Sequence, residues 1–290
     1  MSGAAAWAAG TSFTQLTGRG AAGPNTASIY FGGAYPNSPG GNSGATEKYD
    51  GTTWTEVNNL TTPRNYGCPA QQGSQTAAFL ASGTTVNVDG LWCETYDGTS
   101  WSAVPDTAIT HAYSAGVGTS TAALAVGTAV PPRTQIESWN GSSWSEGNDM
   151  NTGRYFTAAA GSQTAALCFS GETLPGPFTN ATESWNGTSW SAVNAMNTTR
   201  CAGGGAGTQA LAIAAGGKTP TIVNNVETWD GTSWSAAATL ATARKKNGTT
   251  GTTAAGMTGG GSTSPPATGI TDTVEIWSDP VYAVKTVTVS

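Results

Sequence analysis

E-T-W-D-G-T-S-W, residues Glu227 to Trp234, recurs along the whole chain and sets its period. Near-copies start at Glu47 (E-K-Y-D-G-T-T-W), Glu94 (E-T-Y-D-G-T-S-W), Glu137 (E-S-W-N-G-S-S-W) and Glu183 (E-S-W-N-G-T-S-W), and a truncated one, E-I-W-S-D-P, starts at Glu275. Successive glutamates lie 47, 43, 46, 44 and 48 residues apart. A period of about 45 residues is that of one supersecondary unit packed against copies of itself.

Within each copy, Asp-Gly or Asn-Gly between two short aromatic-ended runs predicts a tight hairpin, of type I′ because Asn, Asp and Gly best tolerate positive φ at both central residues. Upstream, Gln163-Thr-Ala-Ala-Leu-Cys-Phe-Ser-Gly171 recurs as Gln75 to Gly83, Ser120 to Gly127 and Gln209 to Gly217, small and apolar enough for buried strands. Each unit therefore reads as four strands: an innermost one from the Arg or His, a second ending in Gly, a third carrying Glu-x-Trp/Tyr, and a fourth carrying Trp. Trp7 falls in the slot of the post-turn Trp, so the N-terminus supplies the fourth strand of a blade whose other three strands are Arg244 to Gly251, Thr252 to Gly260 and Asp272 to Trp277. A blade split between the termini implies a closed ring, which removes exposed sheet edges. The expected fold is all-β, a six-bladed β-propeller of four-stranded antiparallel blades over residues 1–277. Residues 278–290, rich in β-branched residues, form a separate strand or docking tail, either along a blade edge of its own molecule or, through 281–290, on a neighbour by strand addition.

Composition narrows the function. Eleven Lys and Arg stand against 17 Asp and Glu, giving a net charge of −6, and charged residues are only 10% of the chain. So acidic a chain lacks the electrostatic footprint for nucleic acid, and no apolar run approaches the length that spans a bilayer. The N-terminal Met-Ser-Gly-Ala-Ala-Ala-Trp has neither the basic nor the apolar region of a secretory signal. Cys68, Cys93, Cys168 and Cys201 fall at four phases of the repeat with no C-x-x-C pair, which reads as free thiols. Six sequons, at Asn59, Asn140, Asn180, Asn186, Asn197 and Asn247, arise mostly because the turn itself demands Asn-Gly-Ser/Thr.

The order of landmarks, a Gly-Gly doublet, a Glu-x-Tyr/Trp-Asp, a Trp, and an Arg ten residues on, resembles a kelch repeat from Trp7 to Trp277. It departs from the kelch pattern in a shorter hairpin and in a doublet complete only at Gly32-Gly33, Gly216-Gly217 and Gly259-Gly260-Gly261. The resemblance implies a propeller but no single activity, since kelch propellers include binding platforms and a copper oxidase. The wording W-N-G-T-S-W-S and Q-T-A-A-L-A is also similar to repeats of virion structural proteins of marine tailed phages.

Candidate chemistry follows the repeat. Ten residues past each post-turn Trp stands Arg64, His111, Arg154, Arg200 or Arg244, with Arg19 offset by two in the first blade. Such a ring could hold carboxylates at a channel mouth, as in the sialidase propellers, but recurrence in every blade reads as a structural pairing with Glu47, Glu94, Glu137, Glu183, Glu227 and Glu275. The D-G-T-S-W turns miss the sialidase Asp box in spacing, and the off-repeat carboxylates form no acid/base constellation. His111 is the single histidine, which leaves a copper oxidase site or a His-based triad without ligands or base. Trp54, Trp101, Trp144, Trp190 and Trp234, one per blade at one phase, read as blade-to-blade packing.

What does not repeat lies in the loops 34–46, 84–93, 128–136, 172–182, 218–226 and 262–274, where binding residues concentrate on a rigid scaffold. Tyr35, Trp92, Arg133, Phe178 and Lys218 are the candidate binding residues there, with Trp92 expected in a loop. The expected function is a non-catalytic structural or adhesive module without metal or cofactor. It would belong to a phage virion as a tail, fibre or capsid-decorating component, with other virion or surface proteins and a host glycan or receptor as partners. The alternatives are a lectin or sialidase-like glycan-active propeller and an extracellular protein-interaction platform, which would place it outside the cell or at its surface.

Overall fold

The computed structural model describes residues 5–35, 41–85, 88–173, 176–264 and 269–279. The tail from 280 onward and the Pro265-Pro266 pair lie outside the described residues. Six four-stranded antiparallel sheets form a propeller, with blade order following chain order. In blade 1, strands β2 (Gly20–Ala22), β3 (Ile29–Phe31), β4 (Thr46–Tyr49) and β5 (Trp54–Val57) run outward from the axis. Blades 2 to 5 repeat this, and blade 6 combines β22 (Gly248–Gly251), β23 (Ala255–Gly259) and β24 (Val274–Ser278) with β1 (Ala6–Ala9) from the other end of the chain. Trp7 pairs with Trp277, the register in which Trp54 pairs with Tyr49. The ring is thus sealed by the N-terminal strand, as the phase of Trp7 predicts.

Three readings of local structure need correction. The inner strand starts about four residues after the Arg, at Gly248 rather than Arg244 in blade 6, because the Arg belongs to the connection that enters the blade. Segment 84–93 is not a loop: β7 (Ala78–Thr85) and β8 (Val88–Tyr96) continue as a paired hairpin, bulged between Ala81 and Gly83, and Trp92 sits on β8. The D-G turn is not type I′, since of its central residues Gly51 alone has positive φ (98°). The strands are closed instead by four residues, with the Asp50 N–H donating to Thr53 O (3.2 Å) and Asp50 Oδ1 accepting the N–H groups of Thr52 (2.8 Å) and Thr53 (2.7 Å). Asp97, Asn140, Asn186 and Asp230 repeat this clamp.

These hydrogen bonds hold the carboxyls of Asp50, Asp97 and Asp230 below the usual aspartate range. A folded-state pKa below the unfolded one adds stability above the unfolded value of about 3.9, and this is lost as pH falls toward the folded value. Asn140 and Asn186 make the same clamp without a titrating group. The triple variant D50N/D97N/D230N should therefore melt near wild type at pH 7 and lose less stability than wild type on acidification to pH 3. Melting curves at the two pH values check this, and equal losses would refute it.

Six apolar clusters occupy the six interfaces between blades. One, for example, joins Leu167, Phe169 and Met196 of blade 4 to Trp229 and Trp234 of blade 5, and another joins Ile29 and Phe31 of blade 1 to Leu80, Tyr96 and Trp101 of blade 2. The post-turn tryptophans reach backward across these interfaces: the Trp101 indole N–H donates to Thr46 Oγ1 and that of Trp234 to Thr182 Oγ1, both at 3.0 Å. Those of Trp54 and Trp144 donate to Thr11 O (3.0 Å) and Pro105 O (3.1 Å), while Trp190 packs against Trp185. The recurrent Gln is a bolt between blades. Gln75 Nε2 donates to Ser28 O (3.0 Å) and Tyr49 O (2.6 Å) of blade 1, and Gln163 Nε2 to Ser138 Oγ (2.9 Å) of blade 3. The four cysteines are buried and free.

Candidate functional site

The loops between second and third strands and the connections into each inner strand share one face of the propeller. The two sets are tied together by isolated bridges, Asn65 with Thr84, Tyr155 with Glu172, Cys201 with Lys218, and Lys245 with Ser262. The D-G turns lie on the opposite face.

Beneath the loop face runs a belt of six buried pairs, five of an arginine with a glutamate and one of His111 with a glutamate. Arg154 Nη2 meets Glu183 Oε1 at 3.0 Å, Arg200 meets Glu227 at 3.3 Å, Arg244 meets Glu275 at 2.7 Å, and Arg64 pairs with Glu94. His111 takes the slot in blade 3, with Nε2 at 3.0 Å from Glu137 Oε2 and Nδ1 at 2.6 Å from Gly127 O. Each carboxylate also accepts one backbone N–H (Glu47) or two (the other five) from the connection entering its own blade. For Glu183 these are Asn151 N–H (2.8 Å) and Thr152 N–H (3.3 Å). The pair thus fastens a connection to a third strand and the carboxylate's acceptor capacity is spent on the protein, whereas Arg19 Nε, Arg154 Nε and Arg200 Nη1 are buried without a hydrogen-bond partner among the described residues.

Blade 1 departs from this pattern. Leu16 stands in the Arg slot, since Leu16 O accepts the Gly261 N–H as Arg244 O accepts that of Gly217. Arg19, three positions past the slot rather than two, brings its guanidinium to Glu47 at 2.6 Å and lies 4.7 Å over the Phe13 ring. The charge is conserved within the belt although its backbone position is not.

The slot explains the Gly doublet too. A Cβ on Gly216 would lie 2.5 Å from Arg244 O of the next blade, and its φ is +67°. Ser82 and Ser170 adopt the same left-handed conformation, at 54° and 60°, where the doublet is incomplete.

Two residues beyond each slot, the chain forms a feature with no counterpart in the sequence reading. Gly18, Tyr66, Tyr113, Phe156, Ala202 and Lys246 all have φ between 49° and 67°. The N–H of each donates to the carbonyl of the equivalent residue in the preceding blade: Tyr66 to Gly18 (3.0 Å), Tyr113 to Tyr66 (2.8 Å), Phe156 to Tyr113 (2.6 Å), Ala202 to Phe156 (2.9 Å), Lys246 to Ala202 (2.6 Å) and Gly18 to Lys246 (3.0 Å). A closed ring of six hydrogen bonds encircles the axis. It holds five non-glycine residues in a conformation that costs each about 1–2 kcal/mol.

The side chains of this ring stopper the channel. Tyr66 stacks on Tyr113 at 4.7 Å, and Phe156 meets Tyr113 edge-on at 5.1 Å. Lys246 Nζ lies 4.6 Å from the Tyr66 ring centre and 5.1 Å from that of Phe156, and donates to Tyr66 Oη at 2.8 Å. Blades 2, 4 and 6 alternate around the ring, so their side chains meet only at the axis. Burial pushes the Tyr66 phenol up to about 12 and pulls the Lys246 ammonium below its usual range. Below the stopper a cavity of about 100 Å³ is lined by small inner-strand residues such as Ala21, Gly116 and Gly204.

The loop residues distribute unevenly. Tyr35 is 46% exposed in blade 1, whereas Trp92 is half-buried, its ring folded over Gly90. Lys218 and Phe178 come together, with Nζ 5.4 Å from the ring centre. Arg133 takes a left-handed backbone (φ 67°) after the Pro131-Pro132 pair, and its carbonyl accepts the Arg154 N–H at 3.2 Å. These five residues form no single pocket. Around the stopper, Lys218, Lys245 and Lys246 surround the buried Cys201, whose thiol is pushed up to about 12 by burial and then by Glu172, against the lysines. Among the described residues no group of three His, Cys, Asp or Glu is placed to hold a metal, and no helix is long and apolar enough to cross a membrane. The one signal that could have revealed the stopper is the run Tyr66, Tyr113, Phe156 at a constant two residues past the slot.

No protein-family model and no curated protein matches the chain. The fold is similar to that of a solved structure described as "Structure of YjhT", with a TM-score of 0.73 and 15% identity over 90% of this chain and 95% of that one. At that identity the likeness is one of fold.

Proposed function

We propose that this chain is a kelch-like, non-catalytic binding module that presents its loop face to a partner. The observation that carries this reading is the division of labour between belt and loops. The recurrent arginines, His111 and the glutamates are consumed in buried pairs, and the stopper closes the channel mouth where propeller substrates would enter. Only the loop face differs from blade to blade. A place in a virion rests on the repeat wording, and here that wording builds the turn clamp and the bolt between blades. The proposal is therefore of the module, carried on a particle or on a cell surface.

Its test is a binding screen of glycans and candidate surface proteins against the wild-type chain and against variants Tyr35→Ala, Trp92→Ala and Lys218→Ala. The expected result is retention of a partner that at least one loop variant loses while melting as wild type does, and no turnover of any retained glycan. Hydrolysis abolished by Arg154→Lys in a folded protein would establish the glycan-active alternative.

A further inference from the structure

The loop face has two chemically distinct halves. Five large apolar side chains are exposed among the described residues, and four of them, Tyr35 (46%), Val88 (54%), Leu91 (38%) and Val130 (46%), come from the loop face of the consecutive blades 1, 2 and 3. The fifth, Leu211 (36%), lies on the opposite face in the turn before β19 (Ala212–Ala215). The cations gather across the stopper. Of the 11 Lys and Arg, Arg19, Arg64, Arg154, Arg200 and Arg244 are in the belt, Lys48 donates to Gly98 O at 2.8 Å, and Lys285 lies outside the described residues. Arg133 belongs to the blade 3 loop. The remaining three, Lys218, Lys245 and Lys246, sit together on blades 5 and 6.

None of these three lysines forms an ion pair with a described residue, and the Lys245 ammonium has no hydrogen-bond partner among them. In a chain of net charge −6, three neighbouring ammonium groups left without a carboxylate are a place for an external one. Mutual repulsion, after burial, holds the Lys245 ammonium below its usual range, and an arriving carboxylate relieves it. The acidic groups on this face are Glu172, which engages the Tyr155 phenol, Asp89 on the apolar side, Asp272 in the blade 6 loop, and Asp106 and Asp149 in the connections, which accept from Cys93 N–H and Thr134 Oγ1–H.

We propose that the loop face binds an acidic polypeptide segment, its carboxylates on Lys218 and Lys245 and its apolar side chains on Val88, Leu91 and Val130. This rests on the binding-module reading above and names the partner's chemistry. Exposed aliphatic side chains on the same face as the cations favour a polypeptide over an acidic glycan, because sugars are gripped by aromatic faces and planar hydrogen-bonding groups, whereas exposed Val and Leu match the apolar core of a protein interface.

The probe is a fluorescein-labelled peptide in which a run of glutamates precedes leucines, titrated by anisotropy against the full chain. The expected result is saturable binding that weakens with salt, falls by about tenfold or more in K218E/K245E, and falls several-fold in Val88→Ser/Leu91→Ser. A peptide with lysine for each glutamate should bind the charge-reversed variant better than wild type, which shows that the variant is folded. Leu211→Ser should change nothing. No binding of the acidic peptide, or tighter binding of polygalacturonate, overturns the proposal while leaving the loop face open to another ligand. Binding indifferent to K218E/K245E but lost in Leu211→Ser overturns both it and the loop-face reading.

Discussion

Glu183→Ala should destabilise the protein by about 3–5 kcal/mol, the cost of leaving one member of a buried ion pair without its partner. Arg154 would lose its carboxylate at 3.0 Å, and the N–H groups of Asn151 and Thr152 would lose their acceptor. Against a total stability of about 5–15 kcal/mol for a folded domain, this is a large fraction. Removing both charges, in Arg154→Met/Glu183→Leu, should cost less than the sum of the single changes, because no charge is stranded. It should still leave the part-buried N–H groups of Asn151 and Thr152 without their acceptor. Denaturant midpoints of wild type, Arg154→Met, Glu183→Leu and the double variant at constant m-value measure this cycle, with Glu183→Ala measured beside them. A Glu183→Ala protein within about 1 kcal/mol of wild type, well under the cost of stranding a buried charge, would mean that the belt does not hold the connections to the blades.

Deleting residues 1–10 should abolish cooperative folding. The deletion removes β1, strips Trp7 from Trp277, whose ring centres are 5.3 Å apart, and takes away the Gly10 N–H that donates to Val274 O at 2.8 Å. Trp277 is fully buried in the closed ring. Exposing an aromatic of roughly 150–250 Å² at about 25 cal/mol per Å² costs about 4 to 6 kcal/mol, and the bared edge of β24 becomes a template for another chain. Circular dichroism melts and light scattering should show a broad transition and aggregates. A truncated chain that stays monomeric and melts as wild type does would mean that the ring holds together without its N-terminal strand.

Parts that recur are legible in one dimension, since each blade must meet the same neighbours. The period of the glutamates gives the blade count, the Trp7 phase gives the closure, and the Asp-Gly turns mark the outer hairpins even though their geometry is a four-residue clamp. Legibility fails where one blade solves a shared problem differently. Counting from Trp7 puts Arg19 two residues out of register, and only the hydrogen bond from Gly261 to Leu16 reveals that the slot holds a leucine while Arg19 supplies the charge from three positions on. Trp92 reads as a loop residue because Gly90 and Asp89 are poor strand formers, yet pairing with the β7 extension overrides their propensity.

The repeat alone thus fixes how many blades there are, which residues lock each one, and how the ends meet, because those relations hold within one period or between adjacent ones. The six-membered hydrogen-bond ring, the Tyr66–Phe156–Lys246 stopper and the split of the loop face into apolar and basic halves emerge only on closure. They join all six blades, join residues of blades 2, 4 and 6 across the axis, or oppose blades 1 to 3 to blades 5 and 6. No local pattern encodes which side chains face one another across an axis that exists only once the ring has closed.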